Sequence, residues 1–228
     1  MLPKLIHQER ALVVLSVFSV GLLVFRIFLL RDMACFGELG CTAFRYLFLP
    51  WNLALAWIPL VFIHWLKQQE HSKFITGLTL VLWLLFFPNA PYLVTDLIHL
   101  SARPPIPIWY DALLLFSFAW LGIALALRAL QQLQIYLETC YPNPWIKLLI
   151  GIPLLLSGLG IYLGRVQRWN SWDAILHPWG PVRDTLNLFL HPGQHVQAWA
   201  MIVLFSLFLG LVFWNKDHFQ LFQNNEGG

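Results

Sequence analysis

Charge is scarce in this chain. Asp, Glu, Lys and Arg supply only 11% of its 228 residues, against about 25% in ordinary soluble domains. That excludes a soluble globular enzyme and a charged, disordered tail. There are only three cysteines, which excludes a disulfide-stapled secreted module. No basic run interrupts the sequence and the formal net charge is only +3, so nothing points to nucleic acid as a partner. The signatures of common chemistry are missing as well. There is no phosphate-binding loop, no nucleophile elbow, no H-E-x-x-H and no C-x-x-C. No Lys lies mid-span for a retinal Schiff base, no His pair for a buried haem, and no Arg ladder for a voltage sensor.

What fills the chain is apolar. Hydrophobic residues make up 59%, and the mean hydropathy is +0.67. A spanning helix needs about 20 apolar residues. The apolar runs therefore predict an all-α polytopic membrane helix bundle of about six transmembrane helices. Residues 1–228 read as a single integral membrane domain, with spans near 11–30, 47–66, 74–94, 112–130, 145–163 and 198–214. The first run is long and lacks a small-x-small cleavage pattern, so it reads as a retained helix rather than a leader. The 12 Trp and 6 Tyr suit aromatic belts at the two interfaces.

All five Lys fall on one side of this topology, together with Arg10 and Arg128. The excess of Lys places the N- and C-termini in the cytoplasm. Cys35 and Cys41 then share an outward-facing first loop. They are a disulfide candidate if that side is oxidising, and two loop thiols otherwise.

The polar residues of the spans gather toward the outward half: Arg26, Asn52, Asn89, Asp96, His99, Asp111, Arg165, Arg168, Asn170 and Asp173. Ionisable groups at membrane depth are costly and mark paired or functional sites. His64 lies near the other end of span two, within reach of water.

The third span is interrupted at Pro88-Asn89-Ala90-Pro91. The 14 residues from Phe74 to Phe87 reach only about 21 Å, short of a hydrocarbon core of about 30 Å. The chain must break in the membrane or continue past the prolines with a kink. Asn89 can satisfy the backbone freed there. Beyond the kink, a 3.6-residue period puts Tyr92, Asp96, His99 and Arg103 on one stripe, with Thr95 at its edge. Leu93, Leu97, Ile98 and Leu100 take the other side, which predicts an amphipathic helix at the interface. Asp96 and His99 read as an acid–base pair or as metal ligands, or else as a helix cap and a solvated ring.

A second polar segment, Gly164-Arg165-Val166-Gln167-Arg168-Trp169-Asn170-Ser171-Trp172-Asp173, closes span five. Gly160 and Gly164 form a G-x-x-x-G face that lets another element approach. Arg165 and Arg168 can pair with Asp96, Asp111 or Asp173. Asn170 or Ser171 can cap a short helix ending at Pro178. His177 joins Asp96 and His99 as a metal-ligand candidate. His191 and His195 lie four apart, but Pro192 and Gly193 between them oppose one helix presenting both.

Pro88-Asn89-Ala90-Pro91-Tyr92, with Thr95-Asp96 and His99-Leu100, resembles the bacterial membrane-protein family called domain of unknown function 1361. The Gly164-Arg165 and Arg168–Asp173 strings look like that family's second signature. The resemblance runs over nearly the whole chain. It implies a multi-pass protein of the bacterial inner (cytoplasmic) membrane, and it brings no activity, substrate or cofactor.

From the residues themselves we expect an outward-facing pocket. Its candidates are Asn89, Tyr92, Asp96, His99, Arg165, Arg168, Asn170 and Asp173, and its expected role is small-molecule or ion binding and transport. The alternatives are a structural or assembly subunit of a membrane complex, and a metal-dependent hydrolase or transferase at the membrane surface. The balance weighs against an enzyme, because neither a metal set nor an activated nucleophile stands out. The expected partners are the bilayer and an unidentified small molecule or membrane protein.

Overall fold

The computed structural model describes residues 7, 9–31, 45–68, 71–102, 106–140 and 145–215. The chain is an all-α membrane helix bundle. Among the described residues its α-helices are α1 (Arg10–Arg31), α2 (Phe48–Leu66), α3 (Lys73–Phe86), α4 (Asn89–Tyr92), α5 (Ile108–Cys140), α6 (Ile146–Leu149), α7 (Gly151–Arg165), α8 (Asp173–Leu176), α9 (Trp179–Leu190) and α10 (Val196–Trp214). A 3₁₀ helix, Leu93–His99, follows α4 directly. Among the described residues, five segments are long and apolar enough to cross a membrane: Arg10–Leu29, Phe48–Leu66, Lys73–His99, Ile108–Cys140 and Val196–Trp214.

The central element is α5. Of its most apolar window, 67% is buried, against 22% for α1. It packs against α1, α2, α4 and the 3₁₀ helix, while α7 packs on α10 and α4. The outer faces carry exposed apolar side chains such as Val17, Phe28, Phe74, Leu204 and Leu211. That arrangement suits a lipid surround, where apolar side chains need not face inward.

Two helices differ from the expected spans. Helix α5 continues ten residues beyond 130, because Gln131, Gln132, Gln134 and Glu138 are polar but good helix formers. At 33 residues it is about 50 Å long, more than a hydrocarbon core is thick. Helix α7 has only 15 residues, about 22 Å. The helical path before it passes through α6, with Leu149 N–H donating to Trp145 O at 2.9 Å. It is interrupted at Ile150, where Pro153 cannot donate to the Leu149 carbonyl.

The third segment is kinked and not opened. Phe87, Pro88 and Leu93 all keep right-handed helical backbone. The two prolines remove donors, and the carbonyls at the end of α3 are satisfied by side chains. Asn89 Nδ2 donates to Phe86 O at 2.8 Å, and Ser171 Oγ donates to Leu85 O at 3.3 Å. After the kink the chain is 3₁₀ rather than α, so residues three apart eclipse each other. Leu93, Asp96 and His99 therefore form one column. The polar face also points the other way from an interfacial helix: Thr95 and Asp96 are buried, while Leu97, Ile98 and Leu100 are exposed. Packing against α5 and α7 overrides the expected orientation.

Candidate functional site

The site forms where the kinked segment meets the C-terminal end of α7. Two glycines permit this approach. A Cβ on Gly160 would lie 2.5 Å from Pro88 Cβ, and one on Gly164 would lie 3.1 Å from Tyr92 Cε2. On the α5 side, a Cβ on Gly122 would lie 2.4 Å from Ala90 O. The kink is thus clasped between two helices at positions where side chains are too large.

Arg165 is the hub. Its Nε and Nη2 donate to Thr95 Oγ1 at 2.8 and 2.6 Å, and Nη2 also pairs with Asp96 Oδ1. Its guanidinium carbon lies 4.3 Å from the centroid of the Tyr92 ring, a cation–π geometry. Its Nη1 is 3.3 Å from His99 Nε2. A guanidinium can only donate, so Nε2 accepts and the His99 ring is neutral, with its proton on Nδ1. Asp96 is 1% exposed and also receives Asn52 Nδ2 at 3.3 Å. Asp96 and His99 are therefore joined through a guanidinium, not poised as a direct acid–base pair.

Beside this hub lies a cavity of about 130 Å³. Asn52, Asn89, Tyr92, Asn170, Ser171 and Trp169 border it, together with Leu55 and Ala174. Asn89 Nδ2 donates to Ser171 Oγ at 2.9 Å across one wall. Leu55 is also the residue whose carbonyl loses its helical donor to Pro59. The cavity wall thus sets several amide and hydroxyl groups within a mainly apolar surface that includes Leu85, Leu163 and Pro181.

The remaining sequence candidates are spread out. Arg168 adopts a left-handed φ of 62° and is exposed. It turns the chain so that Trp169 N–H reaches back to Leu163 O at 3.0 Å. Asp173 receives the backbone N–H of Asn170 at 2.7 Å and its Nδ2 at 3.2 Å. Asp173 thus closes the turn before α8, a role expected of Asn170 or Ser171, and does not pair with Arg165 or Arg168. His177 is exposed, away from Asp96 and His99. Among the described residues no group of three or more His, Cys, Asp or Glu converges. His191 and His195 both contact Asn187 at the surface. Arg103, Cys35 and Cys41 lie outside the described residues.

Asp111 takes a different partner from those expected. It pairs with Arg26 Nε at 2.7 Å, both side chains being almost fully buried. Tyr46 donates to Asp111 Oδ2 at 3.4 Å, and Arg26 lies 4.6 Å from the centroid of its ring. The sequence signal for this tie was two lone opposite charges, one at the end of an apolar run and one at the start of another.

A family model described as "Protein of unknown function (DUF1361)" matches residues 51–212, well over half the chain and every residue of the Arg165 site. No curated protein and no solved structure matches.

Proposed function

This chain belongs to the DUF1361 family, and from that premise we propose that it binds and transports a small uncharged polar molecule at a bacterial cytoplasmic membrane. The observation that supports this reading most is the meeting of the two distant polar segments around one cavity, whose mainly apolar wall carries the amides of Asn52, Asn89 and Asn170 and the Ser171 hydroxyl. The hub beside it is already neutralised internally, since Arg165 and Asp96 satisfy each other. What is left to a ligand is hydrogen bonding by Asn and Ser side chains and stacking on Trp169 or Tyr92. A cavity of about 130 Å³ is close in size to one that accepts benzene.

In this reading both termini are cytoplasmic and the cavity opens toward the outer leaflet. Lys67 and Lys73 lie at the end away from the site, in keeping with positive residues inside. Cys140 is exposed near the C-terminal end of α5, on that same side. In a Cys35→Ser/Cys41→Ser protein, a membrane-impermeant maleimide labels Cys140 only after cells are opened. Labelling of intact cells reverses the orientation.

The binding test is a panel of small amides and polyols, read by thermal unfolding of wild type beside Ala174→Phe. Ala174 lines the cavity and Arg165 does not. A solute that stabilises wild type and not the variant supports binding. A panel that never separates the two proteins refutes the ligand cavity. The second reading is then a purely structural clamp, which the full engagement of Arg165 favours.

A further inference from the structure

A second buried polar cluster lies at the opposite end of the bundle, and the transport reading does not use it. Glu9, in the turn before α1, is 4% exposed. Arg128 on α5 donates its Nε–H to both Glu9 oxygens at 2.9 Å, and its Nη1 donates to Gln131 Oε1 at 3.0 Å. His64 on α2 faces the same carboxylate, with Nε2 at 3.6 Å from Glu9 Oε1. The chain thus ties α1, α2 and α5 at a single carboxylate. Glu9 lies outside the family-matched stretch 51–212, so the cluster is not implied by family membership.

The tautomer of His64 follows from its other contact. Nδ1 lies 2.9 Å from Leu60 O. A carbonyl can only accept, so Nδ1 carries a proton at every protonation state in this geometry. Nε2 is then the position that gains or loses a proton, and it is the nitrogen that faces Glu9. The ring is 8% exposed and sits one turn before the exposed Lys67, so water lies close. The charged groups around Nε2 are Glu9 before α1, Arg128 on α5 and Lys67 at the end of α2. Lys67 is held toward Gln132 Oε1 at 2.7 Å. Burial of the ring opposes charge on it first, the two cations add to that opposition, and the one carboxylate counters it. At 3.6 Å a small shift converts the contact into a hydrogen bond once Nε2 is protonated.

We propose that this end of the protein is a proton-binding site, in which His64 Nε2 takes a proton from water and presents the new N–H to Glu9. The step forms one N–H bond and leaves hydroxide or buffer base in solution. The imidazolium then competes with Arg128 for the carboxylate, so proton occupancy weakens the tie between α1 and α5 and strengthens that between α1 and α2.

The test is ¹⁵N-histidine NMR of the full chain in lipid nanodiscs, with His64 assigned by His64→Gln. The expected spectrum of His64 is the neutral Nδ1–H tautomer at high pH and imidazolium at low pH. Glu9→Gln and Arg128→Gln move its midpoint in opposite senses, because they remove opposite charges facing Nε2. An Nε2–H tautomer, or a ring unchanged between pH 5 and pH 9, overturns the proposal. Midpoints that move in the same sense, or not at all, overturn it too. If either variant fails to fold, the wild-type tautomer and titration still decide.

Discussion

Arg165 joins Thr95, Asp96, His99 and the face of Tyr92 with one planar group. Lys carries the same charge but not the fork or the plane. Arg165→Lys is expected to lose the Thr95 and His99 contacts while keeping a charge near Asp96, at about 1–3 kcal/mol. Thermal unfolding in detergent reads this as a lower midpoint. Arg168 is the control from the same segment. It is exposed with φ at 62°, a conformation that disfavours a side chain by about 1 kcal/mol, so Arg168→Gly leaves the midpoint level or raises it. The sequence marked both arginines equally. Only the turn after α7 separated them, because one left-handed residue aims successive side chains in different directions.

At the scale of the element, the kink is the feature that builds the site. Its existence was legible in the two prolines and the short apolar run before them. Its repair was half legible: Asn89 does satisfy the freed backbone, and Ser171, read as a helix cap, satisfies the neighbouring carbonyl from 86 residues away. Asn89→Ala leaves the Phe86 carbonyl without this donor in an apolar setting and is expected to cost about 1–3 kcal/mol. Faster proteolysis at the kink and a lower unfolding midpoint are the readouts. An unchanged midpoint means water or the backbone has taken over. The segment after the kink was misread because a 3.6-residue period was applied to a 3₁₀ stretch. Leu93, Thr95 and Asp96 then turn inward against α5 and α7, a choice set by neighbours that periodicity does not contain.

Across the whole molecule, buried charges tie distant parts of the chain. Arg26 and Asp111 lie 85 residues apart and meet at 2.7 Å. Removing one partner of such a pair strands the other and typically costs about 3–5 kcal/mol, whereas replacing both with apolar side chains costs far less. Asp111→Leu is therefore expected to destabilise strongly, and Arg26→Leu/Asp111→Leu to recover most of the loss. Unfolding in mixed micelles over the full mutant cycle reads the coupling. Additive losses mean the two residues act separately.

The membrane class, the approximate helices and the two polar segments were determined by the sequence alone. Each follows from local composition: apolar length, proline positions, and polar residues that cannot sit in lipid without partners. Which polar residue meets which was decided only by the tertiary structure. The sequence offered Arg165 and Arg168 to three carboxylates, and packing assigned Asp96 to Arg165, Asp111 to Arg26, and Asp173 to the local turn. His64, expected within reach of water at the end of its span, gathers with Glu9 and Arg128 there. Pairing depends on helix rotation and close approach at Gly122, Gly160 and Gly164. Those are properties of surfaces in contact, and no single segment carries them.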